Sequence, residues 1–286
     1  MSINNSYFSK NNTIISNSFT NTGRNPVMEL FYGTAGTSTQ YPNGFSRFIF
    51  DLDLSLLLEK IQDGTITTGC TDNMTHTLRM VNTSTFDLEL LNTSTSQGRL
   101  RATSFDLILF RIPNINNDPN LPQVWDEGVG YDFADLVYQN SEEDKAFSDR
   151  PSNWHQTTTI GVWTEPGVYN NENTGNVPFS ALTIVDTQHF EFGNENIAFD
   201  MTNEINAIIN GTLTNVSGWG IAYVPQVENL KGLSNTYETQ FFTRHTQTFY
   251  EPFVETVFED RIQDHRQSFI GERQNRNCEK GNCKSG

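Results

Sequence analysis

The stretch Phe45-Ser-Arg-Phe-Ile-Phe-Asp-Leu-Asp-Leu54 packs three phenylalanines, an isoleucine and two leucines into ten residues and stops at Ser55. Aromatic and β-branched residues at this density, closed by a small polar residue, predict a strand. Leu56 to Ile61 then suggests one helical turn before the Asp63-Gly64 turn. Downstream, His76-Thr-Leu-Arg-Met-Val81 and Phe86-Asp-Leu-Glu-Leu-Leu91 alternate with period two. Ser104-Phe-Asp-Leu-Ile-Leu-Phe-Arg-Ile112 is more continuously apolar, which predicts a central strand.

Further strands are expected at Gln188 to Phe192, Ile197 to Asp200, Gly218 to Val224, Thr239 to Arg244 and Phe253 to Glu259. A single short helix fits Met201 to Ile209, capped by Asp200 or Thr202 and stopped by Asn210-Gly211. Many short strands with one helix predict an all-β fold, a jelly-roll-like antiparallel β-sandwich. Its expected extent is residues 41–260, with a long irregular insertion at about 113–180. Residues 1–40 are poor in apolar positions and predict an N-terminal arm, with a strand at Val27 to Tyr32. Residues 261–286 carry six Lys/Arg against three acids and form a basic C-terminal arm on an otherwise acidic chain.

Hydrophobic residues make up only 35%, yet aromatics reach 12% with 21 Phe, so the core is expected to be filled by rings. A net charge of −16 repels phosphate backbones and anionic lipid, which argues against nucleic acid and membrane as partners. Three cysteines make no disulfide framework, and Met1 to Thr20 is too polar for an export signal. Synthesis in a cytoplasm is the expectation. The Asn-x-Ser/Thr triplets then follow from Asn and Thr richness.

Little in the sequence promises chemistry. There is no phosphate-binding Gly loop, nucleophile elbow or His-Glu-x-x-His, and the five histidines are scattered. No catalytic residue, cofactor or metal is expected. Asp51 and Asp53 on one strand face could hold Ca²⁺ or, with Glu165 as another candidate acid, serve a glycosidase; they equally suit a solvated edge. Cys278 and Cys283 could be half a zinc site or free thiols. Glu142-Glu143-Asp144 suits a solvated loop. Trp125, Tyr131, Trp154, Trp163 and Tyr169 could form a sugar-stacking or interface platform, or fill the core beneath the insertion.

Three segments in order carry a resemblance: Ser46-Arg-Phe-Ile-Phe-Asp-Leu52, then Ile197 to Gly211 followed by Gly218-Trp-Gly-Ile-Ala-Tyr223, then Phe241-Phe-Thr-Arg-His245 with Glu251-Pro-Phe-Val-Glu255. Together they resemble DNRLRE-type jelly-roll domains, relatives in shape of carbohydrate-binding modules, over roughly residues 45–260. His245 stands where that family places an acid after the Arg, a departure that touches the local polar network and not the fold. Val124-Trp-Asp-Glu-Gly-Val-Gly-Tyr-Asp132, and Pro151-Ser-Asn-Trp154 with Val162-Trp-Thr-Glu-Pro-Gly-Val-Tyr169, are similar to tailed-bacteriophage virion proteins built on that fold. The resemblance implies a non-enzymatic virion subunit of a tail or neck ring or collar, partnered by its own copies and other virion proteins. A carbohydrate-binding module on a receptor-binding or adhesin-like protein is the other reading.

Overall fold

In the computed structural model, residues 2–19, 21–33, 44–66, 74–83, 104–113, 115, 124–130, 151–158, 161–229 and 237–258 are described. The strands are β1 (Ser2–Ile15), β2 (Val27–Gly33), β3 (Gly44–Leu52), β4 (Thr75–Met80), β5 (Phe105–Arg111), β6 (Thr183–Phe190), β7 (Ile197–Asp200), β8 (Trp219–Tyr223), β9 (Tyr237–Phe242) and β10 (Phe253–Phe258). All their ladders are antiparallel. The chain is an all-β, jelly-roll-like sandwich, as the strand pattern predicts.

One sheet runs β7-β4-β10-β1 and the other β1-β3-β8-β5-β6, so β1 belongs to both. Its first half, Ser2 to Tyr7, pairs with β10; from Phe8 onward it pairs with β3, with a register shift between Phe8 and Lys10. A bulge there re-aims the strand from one sheet to the other. β2 pairs with β9 and with the start of β3 as a short side ladder. The far edges, β6 and β7, meet through side chains. The Ala198 N–H donates to Gln188 Oε1 at 2.8 Å, Gln188 Nε2 donates to the Asn196 carbonyl at 2.9 Å, and the Asp200 N–H donates to Asp186 Oδ2 at 2.7 Å.

β1 corrects the expected N-terminal arm. Its burial is achieved by polar side chains, which no hydropathy pattern reveals. Asn11 Nδ2 donates to the Gly23 carbonyl at 2.7 Å, and Asn12 Nδ2 to the Ser152 carbonyl and Oγ at 2.7 and 2.8 Å. Buried amides so partnered cost little. The strand predicted at Val27 is β2. The strand expected at Phe86 to Leu91 and the C-terminal arm lie outside the described residues.

Alternation along β3 and β5 builds two cores. Phe48, Phe50, Leu107, Leu109 and Tyr223 point between the sheets, where Phe8 stacks on Phe50 at 4.4 Å and Phe105 on Phe190 at 5.1 Å. The interior mixes stacked rings with aliphatic side chains such as Leu30, Met80, Leu107 and Ile205, so rings share the core with aliphatic residues and do not fill it as the composition suggests. Ile49, Ile108, Phe110 and Ala222 point the other way, into a second apolar layer. Burial on both faces explains why Leu107 to Phe110 is uniformly apolar.

The helices number three among the described residues, not one: α1 (Ser55–Gln62), α2 (Thr202–Ile209) and α3 (Pro225–Glu228). In α1, Leu57 and Ile61 lie four residues apart and pack on the inner core, which extends the expected single turn to a helix. Pro225 starts α3 with its backbone angle preset. Ahead of α2, Asp200 Oδ1 accepts the Thr202 N–H at 2.8 Å, but the N-cap position falls to Met201, so neither Asp200 nor Thr202 fills the expected capping place.

His76, inward on β4, is sealed by α2. Its Nδ1 accepts from the Thr256 hydroxyl at 2.9 Å and its Nε2 donates to Asn206 Oδ1 at 3.3 Å, which satisfies a neutral ring. Burial, partly opposed by Asn206 and Asp200, pushes the imidazole down from 6.5 to about 4. The unfolded chain takes up this proton near pH 6.5 and the folded chain only near pH 4. Stability is therefore lost as pH falls through that window, by roughly 3 kcal/mol at most. Urea midpoints at pH 7 and pH 4.5 should show a larger drop for the natural protein than for His76→Gln.

Candidate functional site

The described aromatics of the insertion are turned inward and form no exposed platform. Trp125, Trp154, Trp163 and Tyr169 are buried, as is Trp219, so all four tryptophans are inside. They build the second layer, clamping residues 124–130, 151–158 and 161–182 onto the outer face of β3, β8 and β5. Trp125 Nε1 donates to the Ser217 carbonyl and Trp163 Nε1 to the Asn153 carbonyl, both at 2.7 Å. Trp154 meets Phe45 edge-on at 5.3 Å, and Gly167 lies flat against its ring at a φ of +71°. A Cβ there would come within 2.3 Å of the ring. Of the two roles open to these residues, core filling is the one the geometry supports. Tyr131 lies outside the described residues.

The layer is pinned by a fully buried ion pair. Arg47 points out of β3; its Nε donates to Glu228 Oε1 at 3.0 Å and its Nη2 to Oε2 at 2.6 Å. Its Nη1 donates to the carbonyls of Gly167 at 2.5 Å and Tyr169 at 2.8 Å, and the Tyr169 ring covers the guanidinium at 3.5 Å. Burial opposes the charge on Arg47, but Glu228 and Tyr169 outweigh it and hold its pKa above the ordinary value. Burial pushes the Tyr169 hydroxyl well up. Planar bidentate pairing suits arginine alone.

Two sequence motifs converge at the bulge of β1. Glu127, from Trp125-Asp-Glu-Gly128, accepts on Oε1 from the Asn11 N–H at 3.0 Å, from Arg244 Nη1 at 3.0 Å and from His245 Nε2 at 3.1 Å. Arg244 Nη1 also donates to the carbonyl of Ser9, the bulged residue. Lys10 donates to the Trp125 carbonyl at 2.9 Å and lies 4.4 Å over its ring. A Cβ on Gly128 would come within 2.2 Å of Asn12 Oδ1, so the turn admits only glycine. His245 joins a polar network that Glu127 completes.

The remaining candidates separate. Asp51 lies 3.7 Å from Lys10, with burial raising its pKa against the pull of that ammonium. Asp53 falls beyond the strand and accepts from Ser55 Oγ at 2.6 Å and Ser55 N–H at 3.0 Å, which lowers its pKa. The two carboxylates thus have different partners and do not act as a pair. Glu165 Oε2 accepts the Asn176 N–H at 2.7 Å in a surface turn. Among the described residues no group of three or more His, Cys, Asp or Glu is arranged to hold a metal ion, and no helix is long and apolar enough to cross a membrane. Cys278, Cys283 and Glu142-Glu143-Asp144 lie outside the described residues.

One constellation escaped the sequence reading. On the exposed face of β5 and β6, His189 Nδ1 lies 2.7 Å from Asp106, and its Nε2 lies 3.3 Å from Glu191 and 3.4 Å from Ser104 Oγ. The order Ser-His-Asp suggests a nucleophile, but both ring nitrogens face carboxylates. The ring's hydrogen bonds to the Asp106 and Glu191 carboxylates raise the imidazole pKa, which favours the charged ring over one free to take a proton from Ser104. A cleft of about 200 Å³ beside Arg111, lined also by Pro113, Thr183, Leu213 and Asn215, has its guanidinium engaged by Glu204 at 3.3 Å. Neither arrangement builds a reaction centre.

No protein-family model matches the chain, and no curated protein matches it.

Removing one member of the buried pair strands a charge, so Arg47→Met should cost about 3–5 kcal/mol, with Arg47→Met/Glu228→Leu recovering most of it. Denaturant titration followed by tryptophan emission checks both. Glu127→Ala should cost a more modest 1–3 kcal/mol or so, since it leaves the Asn11 N–H and the Arg244 guanidinium short of a partner.

Proposed function

We propose that the chain is a non-enzymatic structural subunit that assembles into a homo-oligomeric ring in the tail or neck of a bacteriophage virion. It acts there through interfaces with its own copies and with other virion proteins. The observation that carries the assembly reading is the welded second layer. Residues that could have been a loose, ligand-gathering excursion are buried as a second apolar cluster, with an internal ion pair beside it. A three-layer plate of this kind is stiff, and stiffness is what a load-bearing subunit requires. The virion setting rests on the resemblance of the Trp-Asp-Glu-Gly and Trp-Thr-Glu-Pro segments.

Burial of the tryptophans also weighs against the carbohydrate-binding reading, because a ring must be exposed to stack on a sugar face. Light scattering of the purified chain should return a multiple of its 32.4 kDa mass. Tryptophan emission during titration with a glycan panel should stay flat. A strictly monomeric protein with a saturable emission shift would reverse the assignment.

A further inference from the structure

The outer face of the β7-β4-β10-β1 sheet carries apolar side chains that stay exposed or half-exposed among the described residues. On it, cross-strand partners Ile3 and Val257 form one pair and Tyr7 and Phe253 another, separated by Asn5 opposite Glu255. Ile3 is 62% exposed and Tyr7 45%, while Val257 and Phe253 are half-buried. The Tyr7 and Phe253 rings are 6.1 Å apart, and the Arg79–Glu255 ion pair at 2.8 Å runs beside them, so the face carries two apolar pairs parted by polar residues. Outward positions on a solvated strand are ordinarily polar, and apolar pairs gathered on one such face mark an interaction surface.

Charge identifies the occupant. The chain carries −16 overall and residues 261–286 carry +3, so the remainder carries −19. That basic segment begins three residues after β10 ends, at the Ile3–Val257 end of the face. Beside β1, α1 follows the strand, tied by the Asp53 N–H to the Tyr7 carbonyl at 2.9 Å and by Lys60 Nζ to Asn4 Oδ1 at 2.7 Å. Its flank presents exposed Asp53, Glu59 and Asp63. Basic segment and acidic flank are complementary in charge. A copy of this chain supplies both halves at once, whereas acidic bodies without the basic segment would repel.

We propose that the outer face of this sheet, centred on Ile3, Tyr7, Val257 and Phe253, docks a second copy of the chain, whose basic segment 261–286 pairs with the acidic flank of α1. The inference rests on the assembly reading and specifies its surface. Sedimentation velocity of the full chain over a range of concentration and salt tests it. Ile3→Thr/Tyr7→Thr keeps strand-forming residues on outward positions and should weaken self-association about tenfold or more. Neutralising Arg261, Arg266 and Arg273 to Gln should weaken it at low salt and flatten its salt dependence. Phe19→Ser/Val162→Thr, which removes exposed apolar residues elsewhere, should leave it unchanged. An oligomer indifferent to Ile3→Thr/Tyr7→Thr overturns this face while assembly stands. A natural protein that stays monomeric at every concentration overturns assembly itself and this inference with it.

Discussion

Apolar burial on both sides of β3 is the constraint from which the rest of the structure follows. Phe48 and Phe50 enter the inner core, while Arg47 and Ile49 enter the layer above. The same strand is hydrogen-bonded to β1, β2 and β8. A strand with no free face and few free backbone groups fixes register for its neighbours, because a slip of one residue would bury Arg47 among phenylalanines. The overlying layer is therefore positioned by the same alternation that positions the inner core.

That arrangement also explains why a buried charge is tolerated. The Arg47 guanidinium meets a carboxylate, two carbonyls and a ring, so four of its N–H groups are satisfied without water. An apolar pair might pack as well, but it would not select the carbonyls of Gly167 and Tyr169. Directional bonds give the irregular segment a single seat on the sheet where dispersion alone would allow several. The junction of Glu127 with Arg244 and His245 does the same work at the bulge of β1.

Strands that bury phenylalanine or alternate cleanly were legible: Phe45 to Leu52, Phe105 to Arg111, Trp219 to Tyr223 and Phe253 to Phe258 all follow from their apolar pattern. β1 was not, because its inward residues include Asn4, Ser6, Asn11 and Thr13, and their burial depends in part on partners far along the chain. β6 begins earlier than its apolar signal, at Thr183, since an edge strand with Asp186 and Gln188 turned to polar tasks shows little periodicity. The ion pair and the Glu127 junction join residues 181 and 117 positions apart, so neither leaves a local trace. Even so, the Trp-Asp-Glu-Gly and Arg-His segments were noticed as motifs. Their meeting was beyond the sequence.

The seam between β6 and β7 has a mechanical corollary. Where two strands share a backbone ladder, separating them breaks evenly spaced bonds in concert. Here the contacts run through the rotatable side chains of Gln188 and Asp186. Such a joint can part by changes of rotamer while every ladder beside it stays intact. The β6–β7 seam is thus held by side-chain torsions, and a pull across it would meet these before any backbone ladder.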